Sequence, residues 1–532
     1  MISNNSSFIT RPAIIQVGSS WNRTAGAYLS ISNLLLFITT YLALKTLYDV
    51  FLHPLRKIPG PFVAKFSQSW RNHKYLRGTW HNDCLELHAK YGNVVRIAPN
   101  EVSFVDEVGL KSIYGHGKQI LKTSWYDTWK VPNMTVSFFA ATDPKVHRYL
   151  RSRVSGAYSM TAILSMESLV QEVLSLNKDR LAEFARKGQV VHIDQWVNYF
   201  TFDIVGQLAM GGTIGFLQHG KDIDGIIQSI HDGFWLMAVM GNVPLQNYWF
   251  NNAFSKWVIR TFGGKRLNAF DVFVDWLEHR VDARMRDGLG EKRRDMLQHF
   301  IEAKDPNGKP VKKADVMIEG VNILGAGADT TAIGILATIG NVLTNARVKT
   351  KLQEELDQAA RDLDLDRSGR DFAFKELESL PYLSAVITES TRIHPSIQYQ
   401  LPRYVPPGGV QVEKYFLPER SILGISPRSM NRSKDIFGPD ADMFRPERWI
   451  SDGSDDDNDR IKRQGLFLTT FGMGSRSCVG RNLATVEMYK YVAQFFRAFD
   501  AELVRPDQPW KTKTQWFSFP QDFQIRIAER KT

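Results

Sequence analysis

Cys478 stands in Phe471-Gly-Met-Gly-Ser-Arg-Ser-Cys-Val-Gly480, and this setting governs what its sulfur can do. Glycines let the backbone turn tightly, Arg476 brings positive charge, and a helix beginning near Gly480 directs its positive end towards the sulfur. All three favour thiolate over thiol, and the thiolate is the form that binds metals. Such a loop suits the axial ligand of a haem iron, where a thiolate pushes electron density onto the metal and promotes O–O cleavage. The plainer alternative is a buried free cysteine packed as a small apolar residue.

Three other segments carry the same chemistry. Glu389-Ser-Thr-Arg392 lies on an amphipathic stretch from Tyr382 to His394, where i,i+3 spacing puts the acid and the base on one face. A surface pair would look identical and be worth little. Phe444-Arg-Pro-Glu-Arg-Trp449 supplies Arg448, a second arginine able to complete a buried Glu-Arg-Arg network beneath the cysteine loop. Gly325-Ala-Gly-Ala-Asp-Thr-Thr331 interrupts a long apolar helical run with small residues, an acid and two hydroxyls. A nucleotide-binding reading of that run fails, because no strand precedes it and the third glycine of the dinucleotide fingerprint is missing.

In this order and at these separations the four segments resemble the cytochrome P450 superfamily of haem-thiolate monooxygenases. The resemblance covers nearly the whole chain, from His53-Pro-Leu-Arg-Lys-Ile-Pro-Gly-Pro61 to the helix after the cysteine loop. That first motif, Arg96-Ile-Ala-Pro-Asn100 and Leu401-Pro-Arg-Tyr-Val-Pro-Pro-Gly408 make the chain similar to microsomal enzymes of filamentous-fungal secondary metabolism, in the pisatin-demethylase-like group.

The resemblance implies a mainly α fold with small β-sheets, a triangular helical prism around a buried haem b, preceded by a transmembrane helix. It implies Cys478 as the iron ligand, with Phe471 and Gly472 in the cofactor loop, and Asp329 and Thr330 as the acid-alcohol pair that guides protons to bound O2. Glu389, Arg392 and Arg448 become the structural network. Haem propionates call for cations, and Arg476 and Arg403 match. Many members add a Trp and an Arg four residues apart on one helix. Here His147 and Arg151 hold that spacing in Asp143-Pro-Lys-Val-His-Arg-Tyr-Leu-Arg151, with Arg148 as the alternative if the register is shifted by one.

Candidate walls of an apolar substrate chamber are Trp125, Phe234, Ala326, Ile397 and Trp516, with the aromatic run from Ile120 to Ala140 around the first. The implied activity is insertion of one oxygen atom into a hydrophobic secondary-metabolite precursor, a terpenoid first and a polyketide or phenolic compound second. Electrons would come from NADPH through NADPH-cytochrome P450 reductase, with cytochrome b5 as a second donor. The alternatives are a haem-thiolate isomerase or dehydratase that needs no reductase, and a non-enzymatic membrane haem sensor. Retention of Asp329 and Thr330 weighs against both.

These residues must be positioned by elements that the remaining pattern describes. Residues 24–44 carry no charge and are long enough to cross a bilayer of about 30 Å. Lys45, Arg56 and Lys57 after the span, against Arg11 and Arg23 before it, favour a cytosolic catalytic part on an endoplasmic reticulum membrane. The expected organisation is a lumenal tail (1–23), a single-pass anchor (24–44), a proline-rich elbow (45–62) and one catalytic domain (63–532). Asn4, Asn5 and Asn22 are then candidate glycosylation sites.

Only two cysteines, Cys84 and Cys478, argue against a disulfide framework and for a reducing compartment. The net charge of +11 comes without a basic cluster interleaved with aromatics. This excludes nucleic acid in favour of an anionic lipid surface and an acidic electron donor. Val94-Val-Arg-Ile97 and Val102-Ser-Phe-Val105 read as a hairpin. Ser451 to Asp459 and Arg361 to Asp371 read as solvated loops.

Overall fold

The computed structural model describes residues 31–117, 121–243, 246–250, 252–264, 269–288, 294–305 and 307–530. The chain divides into two compact units between Arg56 and Lys57. In the first, helix α1 (Ile31–Leu47) continues through a wider, π-type turn at Tyr48–Leu52. Ser32–Leu52 is thus one helix of 21 residues, long and apolar enough to cross a membrane. It runs past residue 44 because Lys45 and Asp49, one turn apart, form an ion pair along its side. It stops before Pro54, which cannot extend it. Residues 24–30 and the candidate sites Asn4, Asn5 and Asn22 lie outside the described residues.

The second unit is mainly helical with four small sheets. Its axis is α6 (Lys313–Leu343), 31 residues that are apolar on nearly all faces and buried accordingly. Around it pack α4 (Ile193–Ala209), α5 (Ile226–Met240), α8 (Pro381–Ile393) and α9 (Arg481–Ala498). The other helices used below are α2 (Pro144–Val154), α3 (Glu167–Lys187) and α7 (Ala346–Asp362). Close approach to α6 demands glycine at two places. A Cβ on Gly325 would fall 2.4 Å from the Phe234 ring of α5, and one on Gly334 2.7 Å from Met488 Sδ of α9. The hydroxyls of Thr330, Thr331 and Thr338 bond back to the carbonyls four residues earlier at 2.7–2.8 Å, which keeps these polar groups satisfied inside an apolar helix.

The strands are β1 (Val94–Ala98), β2 (Glu101–Phe104), β3 (Val191–His192), β4 (Arg403–Tyr404), β5 (Val410–Val412), β6 (Tyr415–Leu417), β7 (Ile422–Gly424), β8 (Phe499–Leu503), β9 (Lys511–Gln515), β10 (Phe517–Gln521) and β11 (Gln524–Glu529). They form sheets β1-β2-β7-β4, β3-β11-β8, β5-β6 and β10-β9. The expected hairpin is β1–β2, antiparallel from Val94 opposite Phe104, with an irregularity between Arg96 and Ala98. All five residues of β1 are buried, and Arg96 is held by the Pro99 and Lys65 carbonyls. Pro59 lies against the same residue, its carbonyl accepting from Arg96 N at 2.7 Å.

Two stretches expected to be loops are partly helical. Asp455–Phe467 is a helix whose first turn is capped by Ser454 Oγ, accepting from Asp457 N at 3.2 Å. Asp455, Asp456 and Asp457 fill that turn, where the positive end of the helix favours acids. On the other side, α7 reaches Asp362 and a further turn forms at Leu365–Ser368, anchored by buried Leu365.

Candidate active site

The cysteine loop is wound by its glycines. Gly472 and Gly474 adopt φ of 68° and 63°, and a Cβ on Gly474 would meet the Tyr114 carbonyl at 2.1 Å. The loop closes through Cys478 N, which donates to Phe471 O at 2.8 Å. Arg151 of α2 reaches across to donate to Ser477 O at 2.6 Å. Cys478 is exposed, but to an interior cavity of ≈330 Å3 rather than to bulk solvent.

Burial pushes the Cys478 thiol pKa up. The N–H groups of Gly480 and Arg481 and the charges of Arg151 and Arg481 pull it down without prevailing. Arg476, expected to favour the thiolate, is not among the groups that act most on the sulfur, and binding of a metal would take up the thiolate form.

One wall of the cavity is cationic. Arg151, Arg403, Arg476 and Lys122 all line it, and among the lining residues there is no aspartate or glutamate. Arg403, on β4, donates to the Tyr126 hydroxyl and to Pro402 O at 2.9 Å, its guanidinium over the rings of Tyr114 and Tyr126. Arg476 has a buried Nη1 with no hydrogen-bond partner among the described residues. Lys122 is buried and donates to Phe138 O at 3.2 Å and to Phe139 O. Its pKa is driven well below the lysine value, first by burial and then by Arg403, Arg476 and Arg151. Burial likewise lowers those of Arg476 and Arg151. A cluster that repels itself, in an apolar cavity, with one donor unused, fits a ligand that brings carboxylates. A haem, whose two propionates these cations would meet and whose iron Cys478 would bind, fits this set of residues.

His147 and Arg151 both line the cavity, whereas Arg148 is exposed elsewhere, which fixes the helix register. Phe471 and Gly472 line it as well. Lys122 is the site residue that sequence reading missed, while Tyr126, within the expected aromatic run, also meets Arg403. Lys122 is paired across an isolated β-bridge with Arg403, a relation between residues far apart in sequence. The one local signal was a lysine beside an aromatic run.

Beneath the loop, Glu389 and Arg392 of α8 and Arg448 are buried to within 1%. Glu389 accepts from Arg392 Nε and Nη2, both at 2.8 Å, from Arg448 Nε at 3.3 Å, from Trp449 Nε1 at 2.9 Å and from Arg445 N at 3.0 Å. The remaining arginine donors meet the carbonyls of Asn431, Ala441 and Asp440. This is the expected network, every charge answered.

Above the loop, α6 presents Ala326, Gly327, Thr330 and Thr331 to the cavity. Asp329 does not face it. The side chain is fully buried on the other side, Oδ1 accepting from Asn198 Nδ2 of α4 and bonded to His231 Nε2 of α5, each at 2.8 Å. The expected pair is therefore split between the two sides of one helix.

The adjoining wall is aromatic. Tyr126, Trp129, Phe138, Phe139, Phe234 and Trp516 line it, with Ile397 beside them. Trp516 forms the tip of the β9–β10 hairpin at φ 76°, a conformation unusual for a bulky residue. Trp125 is not in the wall. The 3₁₀ turn at Ser124–Trp129 puts residues 126 and 129 on the cavity side, while Trp125 turns outward and donates from Nε1 to Ala238 O at 3.1 Å.

The sequence model of the family described as Cytochrome P450 matches residues 57–524. Pisatin demethylase of Fusarium vanettenii is 32% identical over 501 residues, covering 93% of this chain and 92% of that protein. Cytochrome P450 monooxygenase cicH of Emericella nidulans is 29% identical over 90% of this chain and 94% of its own length. Cytochrome P450 monooxygenase mpaDE of Penicillium brevicompactum is 32% identical over 87% of this chain and 54% of its own length. A thiol under an acid-free cationic cavity, within a chain matched almost end to end, places this protein in the cytochrome P450 family of haem-thiolate monooxygenases.

Proposed function

We propose that the chain oxidises a hydrophobic secondary-metabolite precursor, with Cys478 as the axial ligand of a haem b. The observation that carries this reading is Cys478 at an apolar cavity whose cations find no acid within it. When bound, the haem supplies activation of O2 by electrons originating in NADPH. The chain's own residues do the rest. Arg151, Arg403, Arg476 and Lys122 would hold the propionates, with His147 beside them. Thr330 offers a hydroxyl on the cavity side of α6, Asp329 a carboxylate behind it, and together they move protons inward. Glu389, Arg392 and Arg448 keep the loop in place.

The substrate reading now favours an aromatic polyketide or phenolic ether over a terpenoid. The Trp129 ring lies 4.6–5.3 Å, centroid to centroid, from those of Phe139, Phe234 and Trp516, so that the group offers faces and edges against which a flat ring packs. The name of the Fusarium relative, a demethylase acting on pisatin, supports the same direction. Electrons would arrive from NADPH-cytochrome P450 reductase, with cytochrome b5 as a second donor. The helix Ser32–Leu52 would hold the chain to the endoplasmic reticulum membrane with its catalytic unit in the cytosol.

Cys478→Ala is expected to abolish the carbon-monoxide difference band of thiolate-bound ferrous haem, and its persistence would remove the assignment. Spectral titration with phenolic ethers, aromatic polyketides and terpenoids decides the substrate class, a low- to high-spin shift with terpenoids alone reversing the order. NADPH consumption with reductase and substrate separates oxygenation from an isomerase, a dehydratase or a sensor.

A further inference from the structure

Asp329 is a carboxylate with no exposure, and its Oδ2 has no partner among the described residues. Such a group needs a compensating charge. Asn198 provides a hydrogen bond but carries no exchangeable charge. Among the described residues His231 is the one titratable group bonded to it, at 2.8 Å, and its side chain keeps 32% exposure. Neither His231 nor Asp329 lines the central cavity, whereas Thr330, next in sequence, does. The ring thus keeps accessible surface away from the residues that line the cavity and is bonded to the buried acid through Nε2.

We propose that His231 is the residue through which protons from solvent reach Asp329, and through it the oxygen-binding side of the cavity. The ring takes a proton from water at its other nitrogen. Its Nε2–H bond breaks, the electron pair staying on the ring, and a new O–H bond forms on Asp329 Oδ1. The ring is left neutral in the opposite tautomer, and the carboxyl, rotating about Cβ–Cγ, carries that same proton to its other side and gives it up inward, which restores the carboxylate. No bond other than N–H and O–H changes, and water is the source. His231 acts through Asp329, touching neither substrate nor cofactor. The inference rests on the proposed role of Asp329 and Thr330.

The surroundings of the ring suit the task. Asp329 faces it from α6, Asp222 from the segment before α5 and Asp232 from α5 itself, while β10 presents the rings of Phe517 and Phe519. The three acids raise the His231 pKa against the effect of burial, Asp329 most. These acids thus favour the imidazolium form of the ring.

His231→Gln keeps a donor for Asp329 but cannot relay a proton. In the haem-loaded enzyme we expect it to retain the carbon-monoxide band and the substrate-induced spin shift. Product formation should fall about tenfold or more, with more NADPH diverted to peroxide, a larger solvent deuterium isotope effect and loss of the pH-profile limb that follows the ring. Independently of turnover, ¹⁵N-histidine NMR of the diamagnetic ferrous carbon-monoxide form should show one ring titrating above the ordinary value. That signal should be absent in His231→Gln and shifted down in Asp329→Asn. An unchanged isotope effect and pH profile in His231→Gln, with both altered in Asp329→Asn, overturns the role of His231 and leaves the acid-alcohol pair standing. Both variants unchanged overturns the two together, and a His231 that titrates as an ordinary histidine also overturns the proposal.

Discussion

Two arginine-rich clusters flank the cysteine loop, and they are built on opposite principles. Below it, Arg392 and Arg448 are buried around Glu389, and each guanidinium group is met by a carboxylate or a carbonyl. Above it, Arg151, Arg403, Arg476 and Lys122 share a cavity wall that holds no acid at all. The first cluster is complete within the polypeptide and serves as framework. The second is incomplete until an anion arrives, so part of its free energy is released only on binding. Burial alone does not distinguish them, and the count of charges does.

Breaking the lower cluster should have the largest effect. Glu389→Ala leaves the buried Arg392 guanidinium without its carboxylate and Arg448 with Asp440 alone, at a cost of about 3–5 kcal/mol. Urea unfolding should show this loss whether or not haem is present. A variant that folds and retains haem normally would erase the contrast.

The upper cluster should respond the other way, with haem loss and little unfolding. Arg476→Met or Arg151→Met removes a charge-assisted contact of about 1.5–3 kcal/mol. Haem transfer to apomyoglobin should quicken roughly tenfold to a hundredfold by the same measure, while unfolding of the haem-free protein changes little or becomes harder.

Lys122 sharpens the comparison through pH. Its pKa is depressed in the folded chain, so on approaching the ordinary value of 10.5 the unfolded chain holds a proton that the folded chain has shed. Stability of the haem-free protein therefore rises with pH in that window, by at most one proton or about 1.4 kcal/mol per pH unit. Lys122→Met should flatten the slope, and a slope unchanged by the substitution would show that the lysine is not part of the repelling group.

The smallest effect belongs to Glu447, next in sequence to Arg448 but at the surface. Arg347 and Tyr382 hold its pKa down to about 2. A depressed carboxylate stabilises fully above its unfolded value near 4.5, and that contribution is lost as pH falls through about 2. Because the side chain is 31% exposed, Glu447→Gln should cost only about 1 kcal/mol or less at neutral pH.

Much of the site was legible because its motifs are local. The glycines around Cys478, the i,i+3 pair of α8 and the His147–Arg151 spacing each encode a geometry that one turn or one helix enforces. What escaped depends on where a side chain points once elements pack. Trp125 and Trp129 look alike in sequence, and only the 3₁₀ register chooses between them. Asp329 and Thr330 are adjacent, yet the helix sends them to opposite sides. Lys122 acquires meaning only from its pairing with Arg403. The helix after Ser454 was readable, since a serine cap with three acids in the first turn is a helix start. Its acidity and glycine read instead as a solvated loop. In the fold, the β1–β2 hairpin and α8 follow from periodicity, while the extent of the first helix depended on an ion pair that hides two charges.

The lining of the cavity runs from Leu110 to Phe517, and Trp516 and Phe517 at the β9–β10 turn complete it, Phe517 bridging to Ile397. A ribosome must therefore deliver almost all of these residues before the chamber exists. Until then the nascent chain carries its aromatic wall and its crowded cations without the partners that shield them. Chaperone occupancy and haem insertion should both be late events in synthesis. Ribosome-bound chains halted before Trp516 should capture haem poorly, even with Cys478 already outside the exit tunnel.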